Sequence, residues 1–310
     1  MKLTLTPPRH RRGSALMAVL WIIALLIFLV GGTSLLVMQD VEFDSARRQA
    51  FEARQLAESG VSLAMHPDVK PDDPLLHQRL SAAEELDVLV TGEDGLINPN
   101  ILLLQEDRAT LRRILQYWGI TDLPTADRLI NNLIDWVDAD PYEHQPGAEA
   151  HAYNRPGYPF NRPFRSVEEM AEVQGMELVE QAYPNWRKWF SVYASGAVDV
   201  NEAQPELLSA LTGADLRLTT ELRNRRLGPD GIPHTEDDIP IADLASAASQ
   251  LGLSVADPAG LSSRLSVSSS TRRIVARARV GNMTRQLSVV SRGSPNGSGG
   301  PTSILWMREE

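Results

Sequence analysis

The sequence contains no cysteine, which excludes disulfides, thiol nucleophiles, zinc–thiolate sites and iron–sulfur clusters together. Catalytic signatures are missing as well. There is no G-x-S-x-G and no P-loop, and the six histidines, His10, His66, His77, His144, His151 and His234, show no H-E-x-x-H spacing. A membrane-anchored hydrolase therefore has no constellation to support it, and His144 with His151 and Glu149 is only a faint zinc candidate. Positive charge is not in excess: 30 Lys plus Arg against 40 Asp plus Glu give −10, which argues against general affinity for nucleic acid. Charge is absent from Gly13 to Gln39, and proline is absent between Pro8 and Pro67. What remains is a chain of 310 residues, 43% apolar, long enough for about two domains with buried cores.

The uncharged stretch is apolar without interruption from Ala15 to Val30, then continues through Gly31, Gly32, Thr33 and Ser34 to Leu35–Met38. As a helix, Ala15 to Met38 measures about 36 Å, enough to span a bilayer with some tilt. Lys2, Arg9, His10, Arg11 and Arg12 stand before it and Asp40, Glu42 and Asp44 behind it. The positive-inside rule then keeps the N-terminus in the cytoplasm and exports everything after Gln39. A cleavable secretory signal is the competing reading, but the apolar run is too long and no A-x-A-like site follows it.

With no proline to stop it, one helix of about 75–80 Å is expected from Ser14 to about Met65. Ala46, Ala50, Ala53, Ala57, Val61 and Ala64 recur at spacings of three and four and form a narrow stripe of small residues. Packing against partner helices is the functional expectation for this stripe; a seat on the chain's own domain is the alternative.

Beyond Pro67, Pro71 and Pro74, Asp87–Val90 and Leu96–Asn100 read as short strands around the turn Gly92-Glu-Asp-Gly95. Helical patterns follow from Leu102, with Gly119, Gly175, Gly213 and Gly252 as expected C-terminal caps. Glu168, Met170, Val173 and Gly175 share the spacing of Glu206, Leu208, Leu211 and Gly213, suggesting paired helix-turn units. Trp186 and Trp189 near Tyr183 are expected to be buried between helices. After Arg264 the period becomes two: Ile274, Ala276, Ala278 and Val280 alternate with Arg273, Val275, Arg277 and Arg279, Gly281-Asn282 turns, Leu287 and Val289 continue, and Ser303–Met307 forms a last strand.

From Arg264 to Arg292 there are seven arginines and no Lys, Asp or Glu. That face is either solvated or steers an acidic partner. Acids gather in two loops: Asp135, Asp138 and Asp140, with Glu143 and Glu149 downstream, and Asp230 with Thr235, Glu236, Asp237 and Asp238. Such carboxylates suit solvated turns and helix caps, and equally the six to eight oxygens that calcium takes, although neither loop has the EF-hand pattern.

The order R-R-G, then S-A-L-M-A-V-L-W-I-I-A-L-L, then a long amphipathic helix resembles the class III leader and first helix of type IV pilin-like proteins. The resemblance implies that an inner-membrane prepilin peptidase cuts between Gly13 and Ser14 and methylates the new N-terminus. The fifth residue after that bond is Ala18, where most of these proteins carry Glu, a departure that marks the general secretion pathway protein K family of type II secretion minor pseudopilins. The segment Val198-D-V-N-E-A-Q-P-E-L-L-S-A-L-T-Gly213 is similar to helix-hairpin-helix and SAM-like modules. It carries three acids and no base, so nucleic acid is not its expected partner. Ile134-D-W-V-D-A-D-P and N-R-P-F-R-S-V-E-E-M-A-E-V-Q-G-M strengthen the protein K resemblance.

What the resemblance implies is an α+β, type IV pilin-like fold with a large inserted all-α domain: a leader at 1–13, a long helix at 14–66 spanning the membrane over 15–38, the first part of the pilin-like domain at 67–100, the insertion at 101–262, and the closing antiparallel sheet at 263–310. It implies calcium in the helical domain, above all at Asp230, Thr235, Asp237 and Asp238. It also implies a place at the tip of a periplasmic pseudopilus, with minor pseudopilins I and J as partners and H and the major pseudopilin beneath. The competing function is a single-pass periplasmic binding module that never enters a filament.

Overall fold

The computed structural model describes residues 14–66, 68–254, 258–293 and 302–310; Gly13 and the rest of the expected leader lie outside them. The proline-free stretch forms one helix, α1 (Ser14–Ala64), about 76 Å long. Its first half is bare: Leu16–Val30 are exposed along every face, as a lipid-facing helix is when no lipid surrounds it.

The second half of α1 seats on an antiparallel sheet of five strands, in the order β1 (His77–Arg79), β2 (Glu84–Gly92), β5 (Thr271–Val280), β6 (Met283–Arg292) and β7 (Ser303–Glu309). The expected alternation holds. Ile274, Ala276, Ala278 and Val289 are buried toward α1, while Arg277 points outward. Gly281 supplies the positive φ (57°) that the two-residue β5–β6 connection requires, and Asn282 N donates to Gln49 Oε1 of α1.

The stripe on α1 therefore meets the chain's own sheet. Ala53, Ala57, Val61 and Ala64 are buried, and Ala57, Val61 and Ala64 pack with Val88, Ile274, Ala276 and Ala278. This corrects the expectation that these residues wait for partner helices; only Ala46 and Ala50 stay half-buried. The physical reason is the matching small residues on β5, which let helix and sheet approach closely. Gly60 sits at a close approach, where an added Cβ would lie 2.8 Å from both Leu86 Cδ1 and Val88 Cγ2.

Between β2 and β5 runs a helical segment with its own apolar core, from Ile97 to Leu265. It comprises α2 (Pro99–Leu104), α3 (Arg108–Tyr117), α4 (Leu123–Val137), α5 (Met176–Ala182), α6 (Pro205–Thr212), α7 (Leu216–Arg226), α8 (Leu244–Gln250) and α9 (Pro258–Ser262). A two-residue parallel pair, β3 (Val198–Asp199) with β4 (Leu265–Ser266), is the exception to all-α. Side chains of Asn98, Asp107, Asp122, Asp215 and Asp243 cap α2, α3, α4, α7 and α8.

Two local expectations fail. Leu96–Asn100 is not a strand: Ile97 makes a single bridge to Phe190, then Asn98 caps α2 with Pro99 in its first turn. Nor do the two matching segments share a structure. Glu168–Glu172 is a short 3-10 turn and Gly175 (φ 96°) sits at the start of α5, whereas Gly213 (φ 79°) ends α6.

Candidate functional site

The last turn of α4 delivers Asp135 and Asp138 into the loop that follows, and that loop is pinned from both sides. Trp136, fully buried, is ringed by Tyr153, Tyr158, Phe160 and Phe164. Asp135, also fully buried, uses both oxygens for the loop: Oδ1 accepts His144 N (3.0 Å) and His144 Nδ1 (2.6 Å), and Oδ2 accepts Ala148 N (2.9 Å). Gly147 must be glycine here, because a Cβ would fall 2.1 Å from Asp135 Oδ2.

Around this scaffold oxygen atoms are left over. Neither carboxylate oxygen of Asp138 accepts a hydrogen bond, and Oε1 of the buried Glu149 and Oδ1 of Asn161 are likewise without one. Orphaned buried acceptors are costly unless something supplies positive charge. Burial pushes the Asp138 carboxyl up to about 6, with Asp140 and Asp135 adding to the effect. Glu149 is raised by burial and then by Asp135 and Asp138. Ligand-capable atoms of Asp135, Asp138 and His144 lie within 4.8 Å of one another. His144 Nδ1 is bonded to Asp135 Oδ1 and lies 3.6 Å from Asp138 Oδ2, and the acceptors left without a hydrogen bond here are oxygens, the donors that calcium prefers. Asp140 contributes mainly by charge; its Oδ1 accepts Tyr142 N.

The loop after α7 is more self-contained. Asp237 Oδ2 accepts Asp230 N (3.2 Å), its Oδ1 lies 2.8 Å from the Thr235 hydroxyl, and these bonds hold its carboxyl below the usual range. Asp230 Oδ1 accepts Ile232 N, and Asp238 Oδ2 accepts His234 N. One buried oxygen, Asp238 Oδ1, is left without a partner. Asp230, Thr235, Asp237 and Asp238 lie in one hydrogen-bonded loop, and most of their capacity is spent on the loop itself. The first loop fits a cation better. The ordering was not legible in sequence, because Asn161 and Glu149 carry no spacing signal that links them to Asp138.

The faint zinc set does not assemble: His144 bonds Asp135, while His151 Nε2 lies 3.4 Å from Glu143. Trp186 and Trp189 are buried, as expected of structural aromatics. Asn201 of the module-like segment ties neighbouring chain together, donating to Ile241 O and Val267 O and accepting from Ile241 N.

A second polar centre, which sequence reasoning took for a plain turn, joins the helical segment to the sheet. Glu93 and Asp94 are both buried. Glu93 holds Arg273 of β5 through two bonds of 2.7 and 2.8 Å and accepts from Ser191 Oγ. Asp94 accepts Ser195 N on one side and Ser270 N and Thr271 N on the other. Other arginines of the basic face are matched too, Arg279 by Glu85 at 2.8 Å and Arg285 by Glu309 at 4.0 Å. The face is therefore less positive than its own sequence suggests.

Three comparisons bear on this chain. Residues 95–195 match the family described as type II secretion system (T2SS), protein K. One chain of the crystal structure of the GspK-GspI-GspJ complex from the enterotoxigenic Escherichia coli type 2 secretion system is similar at 18% identity and a TM-score of 0.54, over 88% of this chain and 99% of that one. At that identity the likeness is one of fold. No curated protein matches.

Proposed function

We propose that this chain, whose residues 95–195 match the protein K family of type II secretion, is a member of that family and the minor pseudopilin at the tip of the pseudopilus. The observation that carries the reading is the union of that matched segment with a bare apolar helix on a small sheet domain. Its work is assembly. The apolar half of α1 stores the subunit in the inner membrane with its bulk in the periplasm, and the prepilin peptidase trims it between Gly13 and Ser14 and methylates Ser14. The helical segment projects beyond the sheet and obstructs addition above it, so minor pseudopilins I and J join beside it, with H and the major pseudopilin beneath. Ala18 lacks the carboxylate that would reach back to a preceding subunit's N-terminus, which suits a first subunit. Cells without the chain are expected to accumulate folded secreted proteins in the periplasm. Unchanged export in such cells contradicts the reading.

Calcium belongs to the same proposal. Asp138, Glu149 and Asn161 would hold it, with Asp135 keeping the loop in place, and the ion would stiffen a cysteine-free loop. The pH sense follows from Asp138. Its folded pKa of about 6 lies above the ordinary aspartate value of 3.8, so without a cation the native state loses stability as pH rises from about 4 through about 6. A cation takes the ionised form, so affinity should climb across the same window. At a hundredfold excess over Kd, calcium should add about 2.7 kcal/mol, read as a rise of several degrees in Tm. Asp138→Asn should remove that rise, whereas Asp237→Asn should leave most of it. An unchanged Tm with calcium at pH 7 would overturn the metal assignment.

A further inference from the structure

The two edges of the sheet are protected very differently. β1 is three residues long, and a short edge strand offers little to an incoming chain. β7 is seven residues long and closes the other edge, with no further strand beside it among the described residues. It lacks proline and lysine, the usual deterrents, and leaves Ile304, Leu305 and Met307 exposed at 51%, 38% and 59%.

The register fixes which backbone groups are free. Glu310 and Gln286 exchange both N–H···O bonds, so in the antiparallel ladder Arg308 faces Ser288 in the same hydrogen-bonded manner. Met307 and Glu309, the alternate residues, therefore turn their N–H and C=O groups away from β6, toward open solvent.

Beside this edge, between β7 and the helical segment, lies a cleft of about 320 Å³. Arg187, Arg273 and Arg308 line it against a single acid, Glu168, with Tyr193 and Trp306 as aromatic wall. Arg273 is committed to the buried Glu93. Arg187, stacked over Trp186, and Arg308 form ion pairs with the exposed Glu180 and Glu310, and pairs of that kind are readily exchanged. Arg187 and Arg308 are thus the two guanidiniums of the cleft that an incoming carboxylate can recruit.

We propose that the free edge of β7 receives an extended strand from a partner subunit, hydrogen-bonded to Met307 and Glu309, with an acidic side chain set into the cleft against Arg308 and Arg187. Such strand addition draws affinity from main-chain bonds and selectivity from alternate side chains. The identity of the partner rests on the pseudopilin reading.

The test is amide hydrogen exchange, read residue by residue, on the full chain in detergent, alone and mixed with minor pseudopilins I and J. In the complex, exchange at Met307 and Glu309 should slow by about tenfold or more. Met307→Pro removes an outward N–H without touching the β6 ladder, and Arg308→Glu puts an acid where the cleft offers a cation; each should weaken the complex about fivefold to tenfold. A complex in which Met307 and Glu309 exchange as in the free chain overturns the proposal and leaves the pseudopilin reading standing. Protection that appears without partners and grows with concentration assigns the edge to a second copy and also overturns it. Absence of any complex overturns both.

Discussion

Asp94→Ala is expected to cost about 3–5 kcal/mol, the range for breaking a buried charged centre. The residue is fully buried, and its loss strands donors on both sides of the junction: Ser195 N (2.6 Å) from the helical segment, and Ser270 N (2.7 Å), Ser270 Oγ (3.1 Å) and Thr271 N (3.1 Å) at the start of β5. These groups lie about a hundred residues or more from Asp94 in sequence, so no local rearrangement replaces it. Neighbouring glycines leave no slack. A Cβ at Gly92 would lie 2.4 Å from Glu202 Cγ, and one at Gly95 would lie 2.6 Å from Glu202 Cβ. The loss should appear as a fall in Tm of about 10 °C, followed by circular dichroism on the full chain in detergent. Arg54→Ala, which removes exposed pairs with Glu58 and with Glu309 of β7, should shift the midpoint by no more than a few degrees. If both variants melt like the parent, the junction is not held by this carboxylate.

Substituting Gly13 by valine is expected to abolish both processing and secretion while leaving the chain in the inner membrane at its usual abundance. Residues 1–13 contain Lys2, Arg9, Arg11 and Arg12 and no acid. As long as they are attached, moving the helix outward drags four cations toward the hydrocarbon. At about 2.5–3.5 kcal/mol for each charge near the membrane centre, the barrier is on the order of 10 kcal/mol. On the proposed processing, loss of residues 1–13 would take the net charge from −10 to −14 and free the helix to rise. Normal export by the uncut variant would contradict this mechanism.

The elements that were legible in sequence are those set by neighbours along the chain. The uninterrupted α1 follows from absent proline, and the β5–β6 hairpin follows from alternation of Ile274, Ala276 and Ala278 around Gly281-Asn282. Features set by distant residues were not legible. The stripe on α1 carries no mark that distinguishes a partner's helix from Ala276 and Ala278, which lie more than 200 residues on. Leu96–Asn100 has strand-like composition, yet Asn98 and Pro99 are a cap and first turn, and the cap side chain also reaches Ala194 O. The acidic loops were found as clusters, but which oxygens stay unpaired depends on Ala148, Tyr142 and His234 backbone groups that no spacing reveals. The arginine run overstated the charge of its face because Glu85 and Glu93 come from the other side of the insertion.

The account rests on a membrane helix trimmed from the cytoplasmic side and kept on the mature chain. Intact mass of the protein extracted from native membranes tests this most directly. A product beginning at Ser14 and carrying one added methyl group is the expected result. A chain still beginning at Met1, or one cut on the periplasmic side of the apolar helix, would contradict it.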